Sequence, residues 1–509
     1  MKAAFHRRAA AVCLAAATLG AAFVAPVPAF AMPAVQAEAV AAPPKAPQVI
    51  DRSRVSFDLK WPDYSGADHY VVRYGTRSDF TGAKTVTKFT SRNIGGLANA
   101  TMYYIQYRPV NGAGDALTGW SGTLKATTLA YHPGKFTSIK AKGGQDSITV
   151  SWSKPAHATH YSVKIADDLK MTRNVRTFDN IKGTTYTIRN VPNGSRSAMP
   201  NFIRVYAHNK GFETRQSQRV TAYAGAPKAS GKEQVSVASW NVLCAICKGD
   251  PGTNPPRWTK RAGILEKTIK SKRPDVLLLQ EAKNYKVPGA ESTKSMDDFA
   301  KRLKKAGYAL DRKPEKPGSD HYSNRIAYST KKFKLVKKGT FSLPKAEGEN
   351  KRGAVWTLLK SRTTGRQFYA VSYHVDPNIP LTGKNSKADT MKRIDAKMAS
   401  LNKKKLPVII GGDANTDYYQ LPSNAPHETM MALGWTDAAS SAKKTNYMYS
   451  TFNGYHRQIK SWSRIDYIFT KGIKGTVSYE NVLNVDSKGR LRSTPGSDHN
   501  MILAKVKLP

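Results

Sequence analysis

Cysteine, acidic residues and long apolar runs are all scarce in this chain of 509 residues. It contains three cysteines, and its 36 Asp and Glu residues face 81 Lys and Arg residues. One apolar run, "AAAVCLAAATLGAAFV", lies near the start, and no later stretch is apolar enough to span a membrane. These shortages exclude further membrane spans, leave room for one disulfide at most, and give a net charge of +45.

The early apolar run has the features of a secretory signal peptide covering residues 1–31. A basic "MKAAFHRR" precedes it, and "AFA" at residues 29–31 provides a small-residue cleavage site. An anchoring helix is the alternative, but the run is short and Pro26 and Pro28 follow it. Residues 32–48 are rich in Ala and Pro and predict a disordered spacer. We therefore expect a secreted, extracellular protein, free or associated with a cell surface.

The cysteines that remain after the signal peptide are Cys244 and Cys247, in "CAIC". Outside the cell, a disulfide between them is the favoured state. A zinc half-site is a weaker alternative, because no second Cys/His pair stands at matching spacing. A thioredoxin-like redox role, or a pair of free thiols, is also compatible with this spacing.

The positive charge is concentrated in the C-terminal half. Residues 226–509 contain 52 Lys and Arg residues against 24 Asp and Glu residues. Such a field favours polyanions, namely nucleic acid, anionic lipid surfaces or cell-wall polymers. The alternative is a basic surface that serves only solubility, and charge alone names no substrate.

An internal repeat occupies the N-terminal half. Residues 55–74 and 147–165 each contain an alternating apolar run that ends in Trp, a Pro-containing turn, and a His-Tyr pair that opens another alternating run. This period-2 pattern with frequent turns predicts all-β sandwiches. The pattern resembles fibronectin type III modules at 49–128 and 129–225, and the resemblance weakens near "NGSRSAMPNFIRVYAHNKGFE".

The aromatic residues of this repeat are expected in the sandwich cores. Trp61 and Tyr70 occupy the first copy, and Trp152 and Tyr161 the second. The resemblance to fibronectin type III modules further implies a tyrosine corner at Tyr104. The modules are expected to act as spacers, or as contacts to a cell surface or polysaccharide.

After a linker at 226–233, residues 234–509 predict a mixed α/β domain. Apolar strands are expected at 235–240, 275–280, 367–374, 406–412 and 464–470, and helical spacing of apolar residues recurs in two stretches between them. Polar side chains stand at the strand ends, where a rigid sheet can position them: Asn241, Glu281, His374, Asp413, Asn415, Asp466, Asp498 and His499. Carboxylates gathered at one sheet edge repel each other unless a cation lies among them, and oxygen ligands suit Mg²⁺ or Mn²⁺.

Six motifs, "ASWNVL", "LLLQEA", "YHVDPN", "IIGGDANTD", "SRIDYIF" and "GSDHNMIL", resemble in this order those of the endonuclease/exonuclease/phosphatase superfamily. The resemblance implies a four-layered α/β sandwich of deoxyribonuclease I type, with its active site at one end of two packed sheets. The expected fold is therefore multidomain, with two fibronectin type III-like sandwiches followed by this catalytic domain.

The resemblance also implies a metal site and a phosphate contact. Glu281 would be the principal ligand of Mg²⁺ or Mn²⁺, with Asn241 and Asp498 beside it. Arg352, in "KRGAVW", is a candidate contact for the phosphate. Members of the superfamily differ over whether one metal or two take part.

The remaining catalytic roles follow from the same resemblance. His499 would be the general base for the attacking water, with Asp466 fixing its tautomer. Asp413 and Asn415 would position the water and the phosphate, and His374 would stabilise charge on the phosphoryl oxygens. Members of the superfamily differ over whether the residue matching His499 or the residue matching Asp413 takes the proton.

The favoured function is a secreted Mg²⁺-dependent nuclease that hydrolyses DNA, RNA or both, and the chain is expected to be a monomer. A phospholipid phosphodiesterase of the sphingomyelinase type is the alternative, although no apolar hairpin stands out in the sequence. An inositol-polyphosphate phosphatase is disfavoured, because "SWSRIDYIF" lacks the Cys-containing signature of that group. An inert surface-adhesion protein is a third hypothesis, which the intact set of polar residues at the strand ends disfavours.

Overall fold

The computed structural model of the chain describes residues 41–88, 92–209, 214–312, 323–345, 349–377, 386–417, 425–459 and 463–509. The predicted signal peptide and residues 32–40 of the predicted spacer lie outside these ranges. The chain divides into two compact units, Met1–Leu129 and Ala130–Pro509. Within the described ranges, no helix combines the length and the apolar character needed to cross a membrane.

The first unit contains two antiparallel sheets with strand orders β1-β2-β5 and β4-β3-β6-β7. Alternate residues of β3 are buried, as the period-2 pattern predicts. Trp61 stacks on Tyr107 at 4.8 Å between ring centroids and meets Tyr70 edge-on at 5.6 Å, so both repeat aromatics lie in the core. The strands are β1 (Gln48–Arg52), β2 (Phe57–Lys60), β3 (His69–Gly75), β4 (Lys84–Lys88), β5 (Asn93–Ile94), β6 (Met102–Val110) and β7 (Leu124–Thr127).

The predicted tyrosine corner at Tyr104 was wrong by one residue. The side chain of Tyr103 is buried, and its hydroxyl accepts a hydrogen bond of 2.9 Å from the main-chain N–H of Ala98. Neighbouring side chains of a strand point to opposite faces, so Tyr104 lies on the other face of β6, near Lys125.

The predicted disordered spacer at 32–48 was wrong for its last residues. Ala41 forms a β-bridge with Thr118, and the N–H of Gly122 donates to the carbonyl of Pro44. A Cβ at Gly122 would lie 3.1 Å from the backbone nitrogen of Ala46, so glycine allows this close approach. The first sandwich therefore includes part of the Pro-rich segment.

The second unit begins with another pair of antiparallel sheets. Their orders are β12-β9-β8 and β11-β10-β13-β14, with β15 also paired to β13. Trp152 meets Tyr161 edge-on at 5.3 Å in the core between them. The strands are β8 (Ile139–Gly144), β9 (Ser147–Trp152), β10 (His160–Ala166), β11 (Arg176–Ile181), β12 (Thr185–Arg189), β13 (Pro200–His208), β14 (Thr214–Gln216) and β15 (Val220–Tyr223).

The rest of the second unit is an α/β region with two large sheets of orders β20-β21-β17-β16-β30-β29-β27 and β22-β23-β24-β25-β28-β26, and a β18-β19 hairpin. Its helices are α1 (Trp258–Lys272), α2 (Ser295–Lys305), α3 (Ser386–Leu401) and α4 (Ala425–Ala432). Its strands are β16 (Glu233–Asn241), β17 (Val276–Gln280), β18 (Lys286–Val287), β19 (Ala290–Lys294), β20 (Tyr308–Leu310), β21 (Arg325–Ser329), β22 (Phe333–Ser342), β23 (Gly353–Ser361), β24 (Gln367–His374), β25 (Val408–Asp413), β26 (Thr436–Asp437), β27 (Lys444–Thr445), β28 (Asp466–Lys471), β29 (Thr476–Val482) and β30 (Met501–Leu508).

Three apolar clusters arrange this region in four layers. One cluster fills the space between the two sheets, with Val237 from the first sheet and Ile409 from the second. A second cluster joins α1 and α2 to the seven-stranded sheet, and a third joins α3 and α4 to the six-stranded sheet. Both sheets are covered on both faces, which explains why their central strands are almost wholly apolar. The predicted α/β four-layer sandwich is confirmed.

The predicted linker at 226–233 follows the surface of this α/β region. The N–H of Ser230 donates to the carbonyl of Lys474, and the N–H of Lys232 donates to the carbonyl of Leu508. These main-chain bonds hold the segment along strands of the seven-stranded sheet. The second sandwich and the α/β region accordingly belong to one compact unit.

Candidate active site

Strand register brings three of the predicted site residues into one row. In the six-stranded sheet, β24 and β25 are parallel with His374 opposite Asp413, and β25 and β28 are antiparallel with Asp413 opposite Asp466. Adjacent strands lie roughly 4.8 Å apart. Three polar side chains that are distant in sequence therefore meet at one end of the sheet.

The seven-stranded sheet supplies the facing residues. Asn241 pairs with Gln280 at the end of the parallel strands β16 and β17, and Glu281 follows directly. The two sheets come close here because β25 contains Gly411. A Cβ at that position would lie 2.7 Å from Cδ1 of Leu278 in the other sheet, so a side chain there would force the sheets apart.

His499 occupies the centre of the site and is buried. Its Nδ1 lies 2.9 Å from Oδ2 of Asp466, and its Nε2 lies 3.6 Å from Oδ2 of Asp413. Burial disfavours the charged imidazole, but the charges of Asp466 and Asp413 outweigh it and raise the pKa of His499 well above its ordinary value. With Nδ1–H donated to Asp466, the other ring nitrogen is available to exchange a proton.

Asp413 is the carboxylate that connects this imidazole to the rest of the site. It accepts hydrogen bonds from the side-chain amide of Asn241 at 3.1 Å and from the N–H of Asn415 at 2.8 Å. Burial is the largest cause that raises its pKa above the ordinary Asp value, while the charge of His499 opposes the rise. The two groups are therefore coupled, because protonation of His499 favours the carboxylate form of Asp413, and protonation of Asp413 favours the neutral imidazole of His499.

Glu281 is held from two sides. The amide of Asn241 lies 3.2 Å from its Oε1, and the N–H of Cys244 donates to its Oε2 at 3.2 Å. The oxygen of Asn241 accepts from the N–H of Leu243 at 3.1 Å, so this amide presents its donor side to the carboxylates. In this orientation Asn241 orients Glu281, whereas the predicted metal-ligand role requires the amide oxygen.

A disulfide joins Cys244 to Cys247 beside Glu281. The favoured sequence interpretation of "CAIC" therefore agrees with the structure. The two sulfur atoms and Glu281 lie close enough together to resemble a metal site, but bonded sulfurs are not thiolate ligands. The disulfide instead closes the loop whose Cys244 amide contacts Glu281.

Asp498 and His499 point in different directions, although they are adjacent in sequence. Oδ1 of Asp498 accepts from the hydroxyl of Ser497 at 3.1 Å, and burial, together with the negative charge of Glu281, raises its pKa. His499 instead faces Asp466. The pair consequently serves two sides of the site, as expected for successive residues at a strand end.

The donor set fits a hard divalent cation. The carboxylates of Glu281 and Asp498 interact across the site, and ligand atoms of Asp413, Asp466 and His499 lie within 4.8 Å of one another. Oδ1 of Asp466 is buried with no hydrogen-bond partner. Four carboxylates in one place, one of them with a buried oxygen that has no partner, match the oxygen coordination that Mg²⁺ and Mn²⁺ require.

His374 and Arg352 form the opposite wall. Nε2 of His374 is 3.0 Å from the amide nitrogen of Asn415 and 3.4 Å from Oδ2 of Asp413. Burial, and then the positive charge of Arg352, lower the pKa of His374 well below its ordinary value, so this imidazole is neutral. Arg352 donates to Asp376 at 3.1 Å, which fixes a cation beside the neutral ring.

Arg261 organises the loops that carry the candidate metal ligands, and sequence analysis missed it. Its guanidinium is 1% exposed and donates to the main-chain carbonyls of residues 242, 243, 244, 256 and 496 at 2.9–3.2 Å. These contacts join the loop after Asn241 to the loop before Asp498. An amphipathic pattern in α1 was available as a signal, but nothing distinguishes one arginine among many in such a basic chain.

Lys387 is a second residue that sequence analysis missed. It lies in the first turn of α3, its Nζ donates to the carbonyl of Asn415 at 2.7 Å, and the side chain is largely buried. Burial lowers its pKa, while the charge of Asp413 raises it. Asn415 itself has a left-handed φ of +46°, so this contact supports a strained backbone position beside the site. Glu281 shares that feature, with a φ of +53°.

Comparison with protein families gives one match to this region. The model of the Endonuclease/Exonuclease/phosphatase family matches residues 238–499, which include every predicted site residue. The chain therefore belongs to the Endonuclease/Exonuclease/phosphatase family. It is a metal-dependent phosphoric ester hydrolase, with a β-rich region ahead of its catalytic region. A search of the curated proteins gave no match.

Solved structures provide further similarities. An endonuclease/exonuclease/phosphatase family protein from Bacteroides thetaiotaomicron is 22% identical, with a TM-score of 0.44 over 54% of this chain and 97% of that chain. A mannosyl-6-phosphatase from Bacteroides thetaiotaomicron is 22% identical, with a TM-score of 0.43 over 53% and 98% of the two chains. The human Nocturnin catalytic domain is 18% identical, with a TM-score of 0.38 over 56% and 98%. Similarities at this level do not identify a substrate.

Proposed function

We propose that the chain is a secreted, Mg²⁺-dependent nuclease that hydrolyses phosphodiester bonds of DNA, RNA or both. The observation that carries the proposal is the buried imidazole of His499, held at 2.9 Å by Asp466 and lying next to Asp413. An imidazole oriented by a carboxylate is suited to take a proton from water. Glu281 and Asp498 place further negative charge on the other side of the site, where a cation is needed.

In the proposed mechanism, His499 acts in its neutral form, which a cation among the carboxylates would favour by opposing positive charge on the ring, and it accepts the proton of the attacking water through Nε2. Asp466 keeps the proton on Nδ1 and stabilises the imidazolium that forms. Asp413 and Asn415 position the water and the phosphate. His374 would help to stabilise the phosphoryl oxygens, which gain charge in the transition state.

Glu281 and Asp498 would hold the divalent cation, with Asn241 orienting Glu281 through its amide. Such a cation supplies electrostatic stabilisation for the phosphoryl oxygens and the leaving oxygen during in-line displacement. Arg352 offers a fixed positive charge for the phosphate on the opposite wall. Its ion pair with Asp376 keeps the guanidinium in place at little entropic cost when a substrate binds.

The preference for nucleic acid rests on charge. Residues 226–509 contain 52 basic against 24 acidic residues, and phosphate contacts supply most of the non-specific affinity for nucleic acid. A membrane-bound substrate would favour an exposed apolar hairpin near the site. Among described residues, Ile246 is a large apolar side chain exposed in the disulfide loop, and an isolated side chain is a weak membrane anchor.

We also propose that the two β-sandwiches are fibronectin type III modules. Support comes from the paired three- and four-stranded sheets of the first unit, its buried Trp61, and the Tyr103 hydroxyl bonded to Ala98. Export through the predicted signal peptide agrees with the disulfide of "CAIC". The first sandwich would then hold the enzyme near a surface or polysaccharide.

The experiment that tests the function compares substrates. The purified chain is incubated with supercoiled plasmid, single-stranded RNA and sphingomyelin vesicles, each with Mg²⁺ and with excess chelator. Cleavage of plasmid or RNA that requires Mg²⁺ is expected. Hydrolysis of sphingomyelin alone would overturn the nuclease proposal in favour of the phospholipid alternative, and absence of any hydrolysis would refute both and leave another phosphoric ester as the substrate.

A further inference from the structure

The 193–199 loop of the second sandwich, between β12 and β13, enters the α/β region. The carbonyl of Arg196 accepts a hydrogen bond of 2.9 Å from the N–H of Asp437. The guanidinium of Arg196 donates a hydrogen bond of 2.8 Å to the carbonyl of Trp435. The hydroxyl of Ser440 donates to the carbonyl of Ser195. This loop therefore forms main-chain bonds with the edge of the six-stranded sheet.

Met199, at the end of this loop, belongs to the core of the α/β region. It is 4% exposed and lies in the apolar cluster that contains Tyr467, Phe469 and Ile410. Ala198 turns the chain with a φ of +58°, a conformation that is unfavourable for alanine and that the surrounding contacts must stabilise. A simple tether between domains would not need a strained turn and a buried anchor.

Beneath the loop lies a buried polar network. Asp437 accepts two hydrogen bonds from Arg464, at 3.0 and 2.5 Å, and both side chains are buried. His427 donates from Nε2 to the carbonyl of Ser197 at 2.8 Å and lies 3.3 Å from Asp437. Nη2 of Arg464 lies 4.0 Å from Sδ of Met199. The loop thus covers the ion pair and excludes water from it.

This network connects to the candidate active site through β28. Arg464 is two residues before Asp466, and its carbonyl accepts from the hydroxyl of Tyr467 at 2.7 Å. The carbonyl of Ile465 accepts from the N–H of Ala414, which follows Asp413. A shift of Arg464 would therefore be transmitted to the strand start that places Asp466 against His499.

We propose that the 193–199 loop is a positioning element of the catalytic site, with Met199 and Arg196 fixing the Asp437–Arg464 pair and, through it, Asp466. The second sandwich is then part of the enzyme's catalytic unit and not a spacer. The proposal rests on the proposed role of Asp466 in orienting His499. Misplacement of a catalytic group by a fraction of an ångström lowers turnover and leaves the binding of a small substrate unchanged.

The test compares full-length variants on bis(4-nitrophenyl) phosphate with Mn²⁺, at a temperature where circular dichroism shows all of them folded. Met199→Ala is expected to lower kcat about tenfold, the range for a supporting residue, with KM within about twofold. Met199→Leu, which refills the core, should restore most of kcat. Arg189→Ala, an exposed residue of the same sandwich, is the matched control and should match wild type.

Three outcomes are decisive. If Met199→Ala retains kcat within about twofold while its melting temperature falls, the loop is only structural and the proposal is overturned. If Met199→Ala does not fold, Arg196→Ala, which removes the bond to Trp435, replaces it in the test. A lower kcat with an unchanged KM then supports the proposal, and an unchanged kcat overturns it. Asp466→Asn separates the two proposals, because wild-type turnover in that variant would refute the proposed role of Asp466 itself.

Discussion

Replacing Arg261 by methionine should damage both stability and metal binding. The guanidinium lies 1% exposed and donates to five main-chain carbonyls, which keep their positions only while these bonds exist. Methionine fills a similar volume and removes every donor. Each carbonyl that loses its buried partner lowers the free energy of unfolding by about 1–3 kcal/mol. Local relaxation and the entry of water reduce the total loss to about 4 kcal/mol.

The stability part of this prediction can be expressed as a melting temperature. Unfolding entropy of roughly 2.1 cal/mol/K per residue over the unit Ala130–Pro509 gives about 0.8 kcal/mol/K. A loss of about 4 kcal/mol therefore lowers the melting temperature of this unit by about 5 °C. Differential scanning calorimetry measures this fall in melting temperature. The matched control is Lys260→Met, a substitution at an exposed position of the same helix.

The metal part follows from the loops that Arg261 joins. The first loop directly follows Asn241, whose amide holds Glu281, and the second leads into Asp498. Loss of their shared support should raise the Mg²⁺ concentration at half-maximal activity about 10- to 100-fold, the usual effect of losing a supporting contact at a metal site. A variant that keeps both its melting temperature and its Mg²⁺ dependence would refute the idea that Arg261 organises the site.

Three further predictions concern the base, the buried ion pair and the substrate. His499→Ala should lower kcat about 10²- to 10⁴-fold in steady-state assays, and a loss below about threefold would remove it from the base role. Burial opposes ionisation of Asp437, but Arg464 and His427 lower its pKa to about 2. Its stabilisation is therefore complete above about pH 4 and lost as pH falls towards 2, so the urea midpoint of wild type should fall more steeply across that range than that of Asp437→Asn. Affinity for a DNA duplex, measured by fluorescence anisotropy without metal, should fall steeply between 50 and 200 mM salt, and a flat response would contradict binding through phosphates.

Much of the catalytic region could be predicted from the sequence because its signals are local. Apolar runs followed by polar residues predicted strands at 367–374 and 406–412, and the structure ends β24 at His374 and β25 at Asp413, within one residue of both predicted ends. The alternation of apolar residues in the repeat predicted that Trp61 and Trp152 lie in the cores, and both are buried. In these cases, the environment of a side chain follows from the apolar pattern of the strand that contains it.

Long-range contacts could not be predicted in the same way. Met199 belongs to a core whose other members all lie more than 140 residues later in the chain, and the sequence signal was only a weakened repeat. Nothing in the sequence distinguishes Arg261 from the other arginines of this basic chain. Tyr103 and Tyr104 differ only in the face of β6 that they occupy, which depends on a register that one repeat does not determine.

The central claim is that metal held by Glu281 and an imidazole oriented by Asp466 together cleave nucleic acid. The most direct measurement is the initial rate of nicking of supercoiled plasmid as a function of Mg²⁺ concentration, for wild type and Glu281→Gln. We predict a saturable rate for wild type that chelator abolishes, and a rate at least about 100-fold lower for Glu281→Gln. Nicking that persists in excess chelator, or at the wild-type rate in Glu281→Gln, would contradict the account.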